Sequence, residues 1–233
     1  LIDEYDAPML DSNAKPELQE HIRSIMRDFF SPLKANEGLL RFVFLTGITK
    51  FSQLSIFSEL NNIKNYSLDD EYGSICGFTQ EEILSTFHEG IHEMAKANGL
   101  TTEQTVAKMK EQYDGYRFTP HCPNIYNPYS VLNALHDKKF SNYWFATGTP
   151  TFLLELLVKN DIEMPQLEGI VATEDQFDSP TDNIGNPIPV LYQSGYLTIK
   201  DYDEGIYTLG YPNEEVRMGL NRSMLNYIAP QYG

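Results

Sequence analysis

The sequence predicts an α/β protein, and three segments near its start carry that prediction. Residues 1–6, LIDEYD, place apolar residues before a run of carboxylates, which is typical of the end of a buried strand. Pro16 suits the first turn of a helix, and apolar residues continue at helical spacing to about Phe30. Residues 39–48, LLRFVFLTGI, are almost continuously apolar, as in a parallel strand covered on both faces. Strand, helix and strand in this order predict a βαβ unit with a right-handed crossover.

The middle of the chain carries two helix-start signals. A Thr-x-x-Glu capping box at Thr79 predicts a helix that reaches about Asn98. A Thr-x-x-Gln box at Thr101 predicts a second helix that reaches about Tyr113. Residues 113–128 are dense in Tyr, Pro, Asn and Gly, which predicts an ordered, aromatic-packed loop. Further helices are predicted over residues 129–137 and 150–159.

A β-hairpin flanked by helices is predicted in the last third of the chain. It follows a long polar connection over residues 160–187. Alternation over residues 196–199 indicates a strand, and residues 203–205 form a tight turn into a return strand over 206–209. A final helix is predicted over 214–228, and the whole arrangement is compatible with a winged-helix unit.

The charge balance argues against one class of function. The 233 residues include 33 acidic and 17 basic side chains, a net charge of −16 with histidine neutral. Such a chain is repelled by phosphate backbones, so direct nucleic-acid binding by this segment is not expected. The imbalance is steepest over residues 160–215, where twelve acids against one base, Lys200, leave a net charge of −11. We therefore expect the hairpin unit to contact protein or another domain.

The sequence predicts a cytoplasmic protein with no membrane partner. No apolar run approaches the roughly 18 to 20 residues that a bilayer-spanning helix needs. Cys76 and Cys122 follow no metal or redox spacing, so a reducing compartment is the simplest expectation. The chain begins at Leu1 with neither Met nor a basic leader, and we expect it to be a fragment of a longer protein.

Two neighbouring strand ends carry polar side chains that suit a nucleoside-triphosphate site. Asp3 and Glu4 follow the first strand, and in such sites one carboxylate holds Mg²⁺ while the next polarises the attacking water. Thr46, Thr49 and Lys50 lie at the tip of the next strand, where a polar side chain senses the γ-phosphate. Taken alone, a solvated strand end and a surface lysine are the alternatives. GxxxxGK[ST] does not occur, so no self-sufficient ATP site is expected.

Eight motifs extend these observations over the whole chain. They are LIDEYDAPM, FLTGITKFSQLSIFSELNN, CGFTQEE, YDGYRF, YNPYSVLNAL, FSNYWFATGTPTFLLELL, LYQSGYLTIKDYD and YPNEEV. In these motifs and in their order, the chain resembles the bacterial AAA-ATPase-like family. The resemblance implies a P-loop-type ATPase that uses ATP and Mg²⁺. Members of the family often carry a restriction-endonuclease-like nuclease domain near the carboxyl end.

The resemblance assigns roles to residues of the first two motifs. LIDEYD corresponds to the family's Walker B strand, which assigns Asp3 to Mg²⁺ and Glu4 to water activation. FLTGITKF corresponds to the sensor strand, which places Thr46 or Thr49 near the γ-phosphate, with Lys50 beside them.

Two further nucleotide contacts are expected outside these strands. Gly148 and Pro150 look like the Gly-x-Pro element that approaches the nucleotide base in related signalling ATPases, although a helix start with proline in its first turn is an equal alternative. Arg117 within YDGYRF reaches a phosphate or, alternatively, packs on tyrosines as a structural cation–π contact.

The resemblance also implies three parts. Residues 1–98 correspond to part of an ATPase core, residues 99–160 to a helical lid and residues 161–233 to the winged-helix-like unit. The fold expected is therefore the C-terminal part of a P-loop-type parallel-sheet core, followed by a lid and an α+β unit. The expected partners are a phosphate-loop segment and a nuclease domain of the same protein. The intact protein is expected to be a nucleotide-dependent switch or motor, whereas this segment alone should hydrolyse little or no ATP.

Two other function classes remain open from the sequence. The chain is alternatively a non-enzymatic protein-interaction module with an inactive nucleotide site. His88, Glu89 and His92 match HExxH, in which two histidines on one helix face share Zn²⁺ and the glutamate is the general base. Gly90 weakens that helix and no third ligand is evident, so a solvated helix face is the favoured interpretation.

Overall fold

The computed structural model describes residues 1–12, 15–48, 50, 63–147, 151–179 and 185–229. The chain divides into two compact units. The first unit is Leu1–Asn65 with Asp175–Ser194, and the second unit is Tyr66–Glu174 with Gly195–Gly233. These two units are defined by which residues pack together. The division at residues 98 and 160 comes from the family resemblance, and it stays a prediction.

Eleven α-helices and five strands are formed by the described residues. The helices are α1 (Ala7–Asp11), α2 (Pro16–Phe30), α3 (Pro32–Ala35), α4 (Gln80–Thr86), α5 (His88–Asn98), α6 (Thr102–Tyr113), α7 (Pro128–Asp137), α8 (Thr151–Lys159), α9 (Glu174–Phe177), α10 (Pro187–Gln193) and α11 (Glu214–Ile228). The strands are β1 (Phe78–Thr79), β2 (Ile125–Tyr126), β3 (Ile170–Thr173), β4 (Thr198–Asp203) and β5 (Ile206–Gly210). The 3₁₀ helices are Glu37–Leu39, Asp70–Tyr72, Trp144–Thr147 and Met164–Leu167.

The first unit is built around α2, which has the predicted bounds. Met26 and Phe30 of this helix pack with Met9 of α1, and the three buried side chains form the centre of the core. Ile2 and Leu45 pack against them and pair with each other in a parallel bridge. Two chain segments separated by helices thus run parallel, as the βαβ prediction requires.

Residues 39–48 differ from the predicted strand. Apart from the bridge at Leu45, this run forms no ladder among the described residues, and Leu39 and Phe42 are 84% and 77% exposed. The ring of Phe42 instead stacks on Phe44 with 6.1 Å between centroids. A strand covered on both faces needs other elements packed against those faces, and the exposure of Leu39 and Phe42 shows that this cover is missing among the described residues, where the run pairs only with the segment around Ile2.

The second unit begins with the predicted capped helices. The capping boxes at Thr79 and Thr101 both form, so orphan N–H groups at the starts of α4 and α6 are satisfied. The helix predicted from Thr79 to Asn98 is divided at Phe87 into α4 and α5. At this division the Phe87 ring meets the Phe78 ring edge to face, at 5.1 Å between centroids.

Two small antiparallel sheets complete the second unit. β1 pairs with β2, and the larger sheet has the order β3-β5-β4. The predicted hairpin is present as β4 and β5, and a register irregularity lies between Ile199 and Asp201. The first of these strands begins two residues later than predicted. The fold is therefore mixed α/β, as predicted, but the sheets of the described residues are antiparallel.

Helices α4 to α7 pack around the second unit's core. Its buried side chains are Ile83, Ile91, Met94, Met109, Tyr113, Tyr126, Val131 and Ala134. Among the described residues, none of the helices has the length and apolarity that a membrane crossing requires.

Candidate functional site

Two paired chain segments end side by side in the first unit. The amide of Ile2 donates to the carbonyl of Phe44 at 2.9 Å, and the amide of Thr46 donates to the carbonyl of Ile2 at 2.9 Å. The amide of Tyr5 continues the pairing to the carbonyl of Thr46 at 3.0 Å. Residues 3 and 4 therefore lie beside the end of the second segment.

The Asp3 carboxylate is joined to this second segment. Its Oδ1 accepts a hydrogen bond from the Thr46 hydroxyl and another, at 3.0 Å, from the amide of Glu4. Asp3 and Glu4 are exposed, whereas Thr46 is half-buried. Exposed carboxylate and hydroxyl oxygens are the donor atoms that Mg²⁺ and its water shell prefer, so this oxygen set fits that ion.

The backbone of Glu4 is in the left-handed region, with φ of 50°. This conformation costs roughly 1–2 kcal/mol for a residue with a Cβ, and such strained residues occur disproportionately at functional sites. The left-handed turn gives the Glu4 carboxylate a direction different from the one that a continued strand would impose.

Asp6 and Gly47 hold the two segments together, and the sequence analysis did not identify either of them. Asp6 is fully buried, and its Oδ1 accepts a hydrogen bond from the amide of Ile48 at 3.2 Å. A Cβ on Gly47 would lie 2.5 Å from that Oδ1 and 2.6 Å from the Tyr5 ring. Only glycine permits this close approach. In the sequence, the features that could have indicated these two residues were the third carboxylate of LIDEYD and the glycine that follows Thr46.

Lys50 is held by residues far away in the sequence. Its ammonium forms an ion pair with Oδ2 of Asp178 and lies 3.4 Å from the Asp178 carbonyl oxygen. Its amide donates to Oε1 of Gln193 at 2.6 Å, and Nε2 of Gln193 donates to the carbonyl of Ser179 at 2.7 Å. The segment 175–194 thus packs in the first unit, where sequence proximity does not place it.

The other predicted nucleotide contacts are either outside the described residues or in the second unit. Thr49, Gly148 and Pro150 lie outside the described residues. Arg117 lies in the second unit, where its guanidinium donates to the carbonyl oxygens of Thr119, Pro120 and Lys200. These three bonds give Arg117 a structural role in its loop, and a phosphate contact stays a prediction.

A buried carboxylate of the second unit joins three of the sequence motifs. Glu215 is 1% exposed and accepts hydrogen bonds from the Ser130 hydroxyl at 2.6 Å and from the Trp144 amide at 2.9 Å. Ser130 comes from the motif YNPYS, Trp144 from NYWF and Glu215 from NEEV. Burial raises the pKa of Glu215, although the hydrogen bonds oppose that shift. This role was not predicted, because periodicity does not show which charge is buried.

The HExxH residues lie at the start of α5. His88, Glu89 and His92 are all exposed, and Nε2 of His88 lies 4.0 Å from Oε1 of Glu89. In the part of the chain that the structure describes, no group of three or more His, Cys, Asp or Glu side chains is placed to hold a metal ion. The motif is a solvated helix face there, which was the favoured interpretation.

Comparison with known proteins finds a family match in the first part of the chain. Residues 1–57 match the model of the AAA-ATPase-like family, which is described as a predicted AAA-ATPase. These residues contain both segments of the site, and over them the resemblance to the AAA-ATPase-like family is confirmed.

One relative matches the chain over almost its full length. It is an uncharacterized protein in the vnfD 5′ region of Azotobacter chroococcum mcd 1, 34% identical over 235 aligned residues. The alignment covers 99% of this chain but only 43% of the relative, so the chain spans less than half of that protein's length. No solved structure matches the chain.

Proposed function

We propose that this chain carries part of the nucleotide site of an ATPase. The observation that supports the proposal most directly is the hydrogen bond from Thr46 to Asp3. It places a carboxylate and a hydroxyl together where two parallel-paired segments end. In open parallel sheets, ligands bind beyond the carboxyl ends of the strands. The match of residues 1–57 to a predicted AAA-ATPase family supports the same activity.

Asp3 is the residue that would hold Mg²⁺, through its carboxylate and an ordered water shell, and Thr46 would lie near the γ-phosphate. When bound, the ion neutralises charge on the β- and γ-phosphates and favours departure of the leaving group. The Thr46 hydroxyl orients Asp3, since it donates to Oδ1 and thereby fixes the carboxylate plane. Residues Thr49 and Lys50 complete the proposed phosphate contacts.

Glu4 is the proposed base. Its carboxylate accepts a proton from the attacking water, and an exposed carboxylate adjacent to the metal ligand is suited to this step. The left-handed backbone turns Glu4 out of line with Asp3, so that one side chain serves the metal and the other the water. In this proposal, the first carboxylate, Asp3, binds the metal and the second, Glu4, accepts the proton from water.

The rest of the site is proposed from the family. A P-loop-type parallel-sheet core and its phosphate loop would come from another part of the same protein. Residues 99–160 would form a lid that contacts the base through Gly148 and Pro150, with Arg117 directed to phosphate. A winged-helix-like unit and a nuclease domain would respond to the nucleotide state, because order and disorder around a γ-phosphate drive many such switches.

The test is Glu4→Gln in the protein that joins this chain to a phosphate loop. We expect ATP turnover to fall by about 10²-fold or more while Mg²⁺-ATP binding is kept, because the amide cannot accept the proton. Glu37→Gln, at an exposed position of the same unit, is the matched control and should turn over normally. Unchanged turnover in Glu4→Gln would remove Glu4 from the mechanism. Absence of any Mg²⁺-dependent ATP binding would favour the interaction module instead.

A further inference from the structure

We propose that Asp178 is a positioning residue that holds the Lys50 ammonium and competes for it with the γ-phosphate of a nucleotide. This inference rests on the proposed function. It adds a long-range element: a carboxylate 128 residues downstream controls access of phosphate to the tip of the predicted sensor strand.

The contacts on Lys50 divide into two kinds. The Asp178 carboxylate binds the side chain, and the Gln193 side chain binds the backbone amide at 2.6 Å. Gln193 is itself held by the carbonyl of Ser179 at 2.7 Å. Loss of the Asp178 carboxylate would therefore remove a charged partner of the ammonium, which also lies 3.4 Å from the Asp178 carbonyl oxygen, while the Gln193 contact still fixed the backbone of Lys50.

The ion pair is partly withdrawn from water. The Asp178 side chain is 11% exposed and the Lys50 side chain is 31% exposed. A carboxylate this buried is stabilised by the cation beside it, and an anion of higher charge would compete with it for that cation. The γ-phosphate of a nucleotide is such an anion.

Lys50 is close to the proposed site along the chain. The amide of Ile48 is bound to Asp6, and Ile48 follows the Thr46 that contacts Asp3. Two peptide links separate the Cα atoms of Ile48 and Lys50 by at most about 7.6 Å, and the lysine stem has four flexible carbons. In the proposal, rotation of that stem exchanges Asp178 for phosphate.

The experiment is equilibrium binding of Mg²⁺-ATP to the protein that joins this chain to a phosphate loop. In Asp178→Asn, we expect ATP to bind about fivefold more tightly or better, because the competing anion is gone. Lys50→Met should bind ATP more weakly, and adding Asp178→Asn to Lys50→Met should then bring no gain. Asp178→Glu should restore the parent affinity, and Asp175→Asn, at an exposed position, is the charge control. Equal or weaker ATP binding in Asp178→Asn would overturn the inference.

A second readout separates this inference from the proposed function. The rate at which an amine-directed reagent modifies Lys50 is measured by peptide mass spectrometry, with thermal unfolding as the check on folding. We expect faster modification of Lys50 in Asp178→Asn, and protection when Mg²⁺-ATP is added. Lys50 could instead be modified faster in Asp178→Asn while no variant binds ATP or is protected by it. That result would overturn the proposed function and give the ion pair a structural role only. ATP protection of the parent with unchanged Lys50 reactivity in Asp178→Asn would overturn the inference alone.

Discussion

The hydroxyl of Thr46 donates a hydrogen bond to Oδ1 of Asp3, 43 residues away along the chain. Backbone hydrogen bonds on either side of this contact pair the two segments in parallel. The bond therefore depends on the register in which the segments around Ile2 and Leu45 pair. A shift of one residue would turn the Asp3 side chain to the opposite face and separate it from Thr46.

Thr46→Val tests the role of this hydrogen bond. Valine keeps the shape of threonine but cannot donate to Asp3, so the carboxylate loses one of the two donors to its Oδ1. We expect unfolding free energy to change by no more than about 1 kcal/mol, since the Asp3 side chain is exposed to water. ATP turnover by the protein with a phosphate loop should fall at least about tenfold, because Asp3 is less well oriented. Thr86→Val, at an exposed helical position, should leave turnover as it is.

Gly115→Ala tests the close approach between two motifs of the second unit. Gly115 has φ of +108°, and a Cβ there would overlap the carbonyl oxygen of Pro212. We expect a loss of about 3 kcal/mol in unfolding free energy, from backbone strain and overlap together. Gly169→Ala is the control, because Gly169 has φ of +82° with open space around it, and should lose only about 1–2 kcal/mol. Urea unfolding measures both, and equal losses would contradict the predicted overlap.

Thr101→Ala tests the cap of α6. The amide of Gln104 donates to the Thr101 hydroxyl at 3.2 Å, and the amide of Thr101 donates to Oε1 of Gln104 at 2.9 Å. Loss of the hydroxyl should lower the unfolding free energy by about 0.5–2 kcal/mol. Thr102→Ala, one residue further into the helix, should be neutral or slightly stabilising because alanine has the higher helix propensity. Thermal unfolding of both variants decides the prediction, and equal melting temperatures would refute it.

Local signals predicted much of this fold. α2 and α11 have the predicted bounds, since a proline in the first turn of the former and Asn213 before the latter mark their starts. Both capping boxes form, and β4 and β5 are joined by residues 204 and 205, inside the turn predicted over residues 203–205. Each of these features depends on residues that are within a few positions of one another.

Features that depend on distant neighbours were not predictable. Residues 39–48 have the composition of a covered strand but, within the described residues, pair only with the segment around Ile2. The helix α10 (Pro187–Gln193) was not predicted. The placement of residues 175–194 in the first unit, which brings Asp178 to Lys50, was not predicted either. In the candidate site, sequence reasoning named Asp3 and Thr46 from strand-end polarity. It could not name the Asp178 carboxylate, because a polar residue in a polar stretch gives no sign of its partner.

Glu215 makes the second unit sensitive to pH in a direction opposite to that of most paired carboxylates. Burial raises its pKa above the ordinary value of 4.5. The folded state therefore binds a proton more tightly than the unfolded state does. The stability from this group is fully present below pH 4.5 and is lost as the pH rises through the folded pKa. Burial raises the pKa of Asp114 as well, so that group acts with the same sign. Tyr113, whose pKa burial raises to about 12, does not titrate in this range.

Glu215→Gln isolates this contribution. We expect a loss of about 1–3 kcal/mol at pH 5, because one amide end cannot accept from both Ser130 and Trp144. The free-energy difference between the parent and Glu215→Gln should shrink as the pH rises, since only the parent must bury a charge. Urea unfolding at pH 5, 6, 7 and 8 measures this trend. Glu214→Gln, the neighbouring position that pairs with Arg217 at 2.5 Å, should leave the pH trend of the parent unchanged. A difference between parent and Glu215→Gln that is constant or grows with pH would show that Glu215 is charged at no net cost, and that its hydrogen bonds outweigh burial.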